Sequence, residues 1–263
     1  MSKFVPNNKY KYDPVKEAKK YCHLGELYNI LPQLRKDIRD TLNNFDYSKN
    51  SIIYLILAVI DLCNFRIGNE KYKKSTGTAT LKVNQISNCS NNNSCSAISF
   101  IGKRGVLNEC EILNEKVNTI LMNMSEYKDD DDFIFTYQDL NGTQHKITAQ
   151  DVNELLHQYG NISTKMFRTW KANYYFIKNI KKLDIPQTQT QMKKNISMAV
   201  GITAEKLHHT KAICRRSYID SRIINYYKES PMNFIADISN STSSNPYLLD
   251  DEEDVIKLLK QEC

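Results

Sequence analysis

Ser51–Tyr72 reads SIIYLILAVIDLCNFRIGNEKY. The run from Ile52 to Leu62, continuing through Phe65, is apolar on nearly every side, which predicts a helix buried on most of its faces. From Ser51 to Leu62 it is too short to span a bilayer, and Asp61 closes it. Arg66 stands at the end of this helix, close to Gly68. A guanidinium there either serves something polar or is costly to desolvate. Capping of the last helical carbonyls is the plain alternative.

The pattern on either side is mostly helical. Upstream, Leu27, Ile30, Leu31, Leu34, Ile38 and Leu42 fall at helical spacing within 24–44, with an interruption expected near Pro32. Downstream, Thr78–Ile86 and Ala97–Ile101 alternate, and Val106–Ile112 can pair back across Gly102-Lys103-Arg104-Gly105. This predicts a small three-stranded antiparallel sheet with a basic hairpin tip. Asn88–Ser96, rich in Asn and Ser, reads as a loop. Helical patterning resumes over 149–159, 163–182, 189–200, 203–208 and 215–228, with Pro186 and Gly201 as breaks. The fold class is α+β and mostly α-helical. The expected organisation is one body over 1–230 followed by an acidic tail over 231–263.

Composition narrows the function. The 263 residues are 41% hydrophobic and 25% charged, enough to bury a core. The start, MSKFVPNNKYKYD, has no apolar signal region, so an intracellular protein away from membranes is expected. Seven cysteines without a C-x-x-C spacing predict reduced thiols and no zinc site. The net charge of +6 is unevenly placed: Lys165–Lys228 carries +11, and Asp237–Cys263 carries −5. Such asymmetry suits a polyanion-binding body, although a solvated basic face would have the same signature. Asp129–Asp132 reads as a solvated loop, because four consecutive carboxylates do not converge on one point.

Three further segments join Phe65–Tyr72 in carrying chemistry. Phe100-Ile101-Gly102-Lys103-Arg104-Gly105 places a lysine on a glycine-flanked turn. Lys165-Met166-Phe167-Arg168-Thr169-Trp170 puts Lys165 and Arg168 on one helix face. His208-His209-Thr210-Lys211-Ala212-Ile213-Cys214-Arg215-Arg216-Ser217-Tyr218 sets a histidine nine residues before a tyrosine. Taken singly, each has an ordinary explanation as a helix-end arginine, a turn lysine or a solvated basic face. In this order and spacing they resemble the type IB DNA topoisomerases, chiefly the small viral and bacterial-type enzymes, whose catalytic domain is shared with the tyrosine recombinases. The matching patterns are R-x-G-N-E-x-Y, F-x-G-K-x-G, K-x-F-R-T-W and H-T-x-x-x-C-R-x-S-Y. Leu31-Pro32-Gln33-Leu34-Arg35 and Asp151-Val152-Asn153 extend the resemblance over roughly Lys9–Tyr227.

The resemblance implies a role for each matched residue. Tyr218 corresponds to the nucleophile that attacks a DNA phosphodiester and leaves a 3′-phosphotyrosyl link with a free 5′-hydroxyl. Arg66, Arg168 and His209 correspond to the groups that hold the non-bridging oxygens, and Lys103 to the general acid for the departing oxygen. Lys165 and Tyr72 correspond to DNA contacts, and Lys71, Lys211, Arg215 and Arg216 would add backbone neutralisation. No cofactor or metal is implied. Double-stranded DNA is the implied partner, with the protein acting as a monomer. Lys9-Tyr10-Lys11-Tyr12 already resembles the start of the catalytic domain, so the expectation is a chain without the family's N-terminal clamp: a naturally minimal enzyme, a fragment, or a protein whose partner supplies the clamp. Two rivals share the fold. A site-specific tyrosine recombinase usually has His-x-x-Arg where this chain has Lys165-x-x-Arg168, and an idle DNA-binding subunit would lack the reactive set.

Overall fold

The computed structural model describes residues 21, 23–69, 76–89, 92–238 and 243–260. Lys71, Tyr72 and the Lys9–Tyr12 segment lie outside the described residues. Helix α1 (Leu24–Asn43) buries Leu24, Leu27, Leu31, Leu34, Ile38 and Leu42 and runs straight through Pro32. No break occurs there: a proline inside a helix costs about 3 kcal/mol, less than the burial of this stripe at about 1.5–3 kcal/mol per large side chain. Helix α2 (Lys49–Cys63) starts at Ser48, whose hydroxyl accepts from the Ser51 amide, and buries residues on all its faces. It stops at Asn64, short of the expected Phe65, because Asn64 is left-handed at φ 57°.

The three-stranded antiparallel sheet is present in the order β1-β2-β3, formed by β1 (Ile86–Cys89), β2 (Asn92–Ile101) and β3 (Leu107–Ile112). Its first strand lies later than expected. Thr78–Gln85 forms two 3₁₀ turns instead, because its backbone bonds go elsewhere. Thr78 N–H donates to Arg66 O and Ala79 N–H to Ile67 O, while Val83 N–H donates to Asp132 O. Where a loop was expected over Asn88–Ser96, the described residues pair between β1 and β2, with Asn88 opposite Ser96. The β2–β3 hairpin turns through Lys103–Gly105, where Arg104 (φ 67°) and Gly105 (φ 72°) are both left-handed.

Helix α3 (Glu115–Ser125) and a short hairpin of β4 (Thr136–Gln138) with β5 (Gln144–Lys146) follow. Asp129–Asp132 forms the exposed loop between them. Helix α4 (Ala149–His157) leads to α5 (Thr164–Ile180), which crosses the core with Phe167, Trp170, Phe176 and Ile177 buried. Helix α6 (Gln189–Lys206) is continuous where Gly201 was expected to break it. A Cβ on Gly201 would meet the end of the Lys211 side chain at 2.8 Å, an exposed chain end that can swing aside. Helices α7 (Lys211–Ser217) and α8 (Ser221–Glu229) replace the single expected helix over 215–228. They part at Tyr218–Asp220, where Asp220 caps α8 by accepting from Arg222 N–H at 2.9 Å.

The tail is not an appendage over its described residues. Helix α9 (Pro231–Ile238) buries Phe234 and Ile238, and α10 (Glu252–Lys260) buries Val255, Leu258 and Leu259. Two acids of α10, Glu252 and Asp254, are paired with cations inside the fold. Glu252, fully buried, accepts from both Arg35 Nη atoms (2.6 and 2.9 Å) and from Trp170 Nε1 (2.9 Å). Lys181 pairs with Asp251 and Asp254. The thiols also depart from expectation, with Cys63 bridged to Cys110 and Cys89 to Cys95. The first bridge joins cysteines 47 residues apart, a pairing that only the tertiary fold creates. Among the described residues Cys214 is the free cysteine, and it is buried. No helix of the described residues is long and apolar enough to cross a membrane.

Candidate active site

Four of the residues singled out in the sequence come together where helix ends meet. Arg66 follows the C-terminus of α2, Arg168 lies in the second turn of α5, His209 sits between α6 and α7, and Tyr218 closes α7. The chain leaves α2 through a tight crossing. Gly68 (φ +83°) passes so close to Gly77 that a Cβ on Gly77 would lie 2.4 Å from the Gly68 Cα. That crossing and the bond from Thr78 N–H to Arg66 O at 2.8 Å fix the backbone that carries the guanidinium.

Arg168 is 2% exposed. Its Nη1 donates to Asn64 O, and its Nη2 donates to Leu207 O at 2.6 Å and to His209 Nε2 at 2.8 Å. Burial, and then the neighbouring Arg66, lower its pKa to about 10, so it remains a cation at neutral pH. Its Nε is buried without a hydrogen-bond partner. Arg66 Nη2 lies 3.3 Å from the other ring nitrogen of His209, Nδ1. Burial, followed by the charges of Arg168 and Arg66, pushes His209 down to about 2.

The His209 ring lies against Tyr218, with centroids 4.4 Å apart. The Arg168 guanidinium carbon is 5.8 Å from the tyrosine ring centre. Burial works to raise the phenol's pKa, but Arg168 and Arg66 outweigh it through charge and hydrogen bonds and leave it below the usual phenol value. Cys214, one turn before Tyr218, is a neutral packing thiol: burial pushes its pKa up to about 12.

Lys103 is carried by a different element, the exposed tip of the β2–β3 hairpin. The hairpin is moored to the arginine segment in three ways. Phe100 packs edge-on against Phe65 at 4.8 Å, Thr76 N–H donates to Ile101 O at 3.2 Å, and Cys110 is bridged to Cys63. Lys165 is exposed and lines a cleft of about 280 Å³ with His23, Ser163 and Thr169. Lys211, Arg215 and Arg216 are exposed along α7. Among the described residues, no three His, Cys, Asp or Glu side chains are grouped to hold a metal ion.

Sequence reasoning missed three supporting residues. Asn173, fully buried, donates to Tyr218 O at 3.2 Å and accepts from Asp220 N–H at 2.8 Å, gripping the loop on both sides of Ile219. His208, left-handed at φ 52°, lies over Phe65 with ring centres 5.3 Å apart. Asn64 supplies a carbonyl to Arg168. None of the three left a signal in the sequence: Asn173, five residues after Arg168, falls on a different face of α5.

Comparison with known proteins identifies the family. Residues 8–239 match the family described as eukaryotic DNA topoisomerase I, catalytic core. The DNA topoisomerase 1B of Acanthamoeba polyphaga mimivirus is 29% identical over 245 residues, which is 86% of this chain and 70% of that protein. The DNA topoisomerase 1 of rabbit fibroma virus (strain Kasza) is 27% identical over 225 residues, covering 81% of this chain and 66% of the relative. The vaccinia virus enzyme (strain Copenhagen), DNA topoisomerase 1B, is 24% identical over 238 residues, or 86% and 69%. The chain therefore spans about two thirds of the length of these relatives, and it belongs to the DNA topoisomerase I catalytic-core family, in its small viral type IB form.

Proposed function

We propose that the protein relaxes supercoiled DNA by nicking and closing one strand through Tyr218. The phenolic oxygen attacks the phosphorus of a phosphodiester, and the bond to the 5′-oxygen breaks. Lys103 donates a proton to that leaving oxygen, leaving a 3′-phosphotyrosyl link and a free 5′-hydroxyl. After the duplex has swivelled, the 5′-hydroxyl returns its proton to Lys103, attacks the phosphorus and expels the phenolate. The phosphodiester energy is kept in the covalent intermediate, so resealing needs no ATP.

The carrying observation is the convergence of Arg66, Arg168 and His209 on Tyr218. Attack by a phenolate builds a second negative charge on the phosphoryl oxygens. Fixed donors aimed at such charge are commonly worth about 3–4 kcal/mol each. A neutral imidazole accepts at one nitrogen only, whereas His209 faces a guanidinium at both. One of those two contacts sets N–H against N–H, and an intervening phosphate oxygen would turn both donors to use. Arginine suits the role because its planar fork stays protonated at neutral pH. Lys165, Lys211, Arg215 and Arg216, together with Lys71 and Tyr72, serve as backbone contacts. Their contribution should appear as a steep fall of affinity with salt. The protein acts as a monomer on duplex DNA.

The test is supercoiled plasmid incubated with protein and EDTA, without ATP, beside the Tyr218→Phe variant. Wild type should relax the plasmid and leave a covalent adduct when stopped with SDS. Tyr218→Phe should bind equally well and do neither. An adduct that maps to another residue would overturn the assignment of the nucleophile.

A further inference from the structure

We propose that Asn64 is a positioning residue whose left-handed turn aims its main-chain carbonyl at Arg168 and so sets the reach of that guanidinium toward the scissile phosphate. The inference rests on the reading of Arg168 as a phosphate-binding group. Asn64 ends α2 with φ 57° and ψ 25°, and its own N–H donates back to Ile60 O at 2.9 Å. The turn swings the Asn64 carbonyl out of the helix direction and onto Arg168 Nη1. Its side-chain amide then locks the turn by donating to Lys206 O at 3.2 Å and to Tyr175 OH at 3.3 Å. One residue thus joins the end of α2, the end of α6 and the middle of α5 behind the buried arginine. The carbonyl just before it, Cys63 O, faces His208 Nε2 at 3.4 Å.

The residue type follows from the backbone. Asparagine and glycine accept the left-handed region, whereas a residue with an ordinary Cβ is strained there. Alanine or serine at 64 would pull the turn back toward helical angles and carry the carbonyl away from Arg168. Glycine would keep the turn and lose only the amide lock.

Single-turnover cleavage and equilibrium DNA binding should be measured for Asn64→Ala, Asn64→Ser and Asn64→Gly, with melting curves to establish folding. Ala and Ser should slow cleavage at saturating protein by about tenfold to a hundredfold, the scale of an ångström misplacement at a reacting centre. DNA affinity should hold within about twofold, because Arg168 serves the transition state more than the ground state. Gly should restore the rate to within about threefold of wild type, which a merely structural role would not produce. Three results would overturn the proposal: wild-type cleavage in the Ala and Ser variants, a loss of rate that Gly does not repair, or equal losses of rate and affinity in all three. Absence of any adduct in wild type would instead refute the proposed function, leaving the two failures distinct. Should Ala not fold, the Ser and Gly pair carries the same contrast.

Discussion

Removing the Glu252 carboxylate should destabilise the whole molecule. Glu252 is fully buried, and its partner Arg35 has a side chain only 12% exposed. Arg35 also binds Asp61 through Nε at 2.8 Å, and Asp61 in turn pairs with the buried Lys171 at 3.1 Å. Two cations thus share two carboxylates beneath α5. Burial alone would raise Asp61, yet Lys171 and Arg35 hold it well below the usual carboxylate range. Glu252→Ala leaves two buried cations on one carboxylate and strips the Trp170 Nε1 and Leu249 N–H donors of their acceptor. Breaking one side of a buried pair typically costs about 3–5 kcal/mol. The remaining Asp61 argues for the lower figure, about 3 kcal/mol. At about 2–4 °C per kcal/mol for a protein near this size, the melting point should drop by about 6–12 °C. Glu252→Gln, which keeps an acceptor for Trp170, should lose less. Denaturant titration and thermal melting would measure both. A Glu252→Ala protein within about 1 kcal/mol of wild type would refute the reasoning. So would a chain ending at residue 242 that melts normally and binds DNA more tightly, because the acidic segment would then be a shield over the basic residues of Lys165–Lys228.

Two further outcomes follow from the site and its histidines. Lys103→Ala should slow cleavage of ordinary DNA by at least about a hundredfold, the usual scale of general acid catalysis. A substrate with a 5′-bridging thiol leaving group, which needs no proton, should recover the rate; without recovery, Lys103 is not the acid. Stability should fall in mild acid because burial, chiefly, together with the nearby guanidiniums, pushes His208 down to about 4 and His209 to about 2. The unfolded chain protonates both near pH 6.5 and so binds more protons than the folded one below that pH. Stability is therefore complete above pH 6.5 and declines as pH drops toward 4. The two histidines together should cost about 2 kcal/mol at pH 5, after discounting for partial exposure. Urea titrations at pH 7 and pH 5 would show it, and equal stability at the two would contradict neutral burial of these rings.

The helical skeleton was legible because its signal is local. The stripes of α1 and α5 are set by 3.6-residue spacing within each helix, and α2 is apolar throughout. The errors came where distant partners decide. Thr78–Gln85 alternates like a strand, yet Arg66, Ile67 and Asp132 take its backbone bonds. Gly201 looks like a helix break, yet α6 runs through it with Ala199, Val200, Thr203 and Ala204 buried on either side. The acids of α10 give no sign of their burial, because nothing near them in sequence reveals Arg35, Trp170 or Lys181. In the site, the residues whose side chains face Tyr218 stood out by type and spacing. Asn64 acts through its main chain and Asn173 through loop backbone, so neither left a side-chain pattern to find.

The way Arg168 is held bears on how it can act. A buried guanidinium is most often paired with carboxylates, as Arg35 is here with Asp61 and Glu252. Arg168 is held by Asn64 O at the end of α2 and Leu207 O at the end of α6, with His209 as its third partner. Both carbonyls cap helix C-termini, where orphan acceptors gather and the helix dipole is negative. Two such ends offer partial negative charge without a formal anion. Burial is thereby compensated enough to keep the arginine protonated, while the net positive charge of the site is left intact. A carboxylate in the same place would neutralise Arg168 and repel an incoming phosphate. Held by carbonyls, Arg168 instead adds its charge to that of Arg66 around Tyr218, and both guanidiniums lower the phenol. On the proposed reading, the charge that favours ionisation of Tyr218 is therefore the same charge that would draw in a phosphodiester.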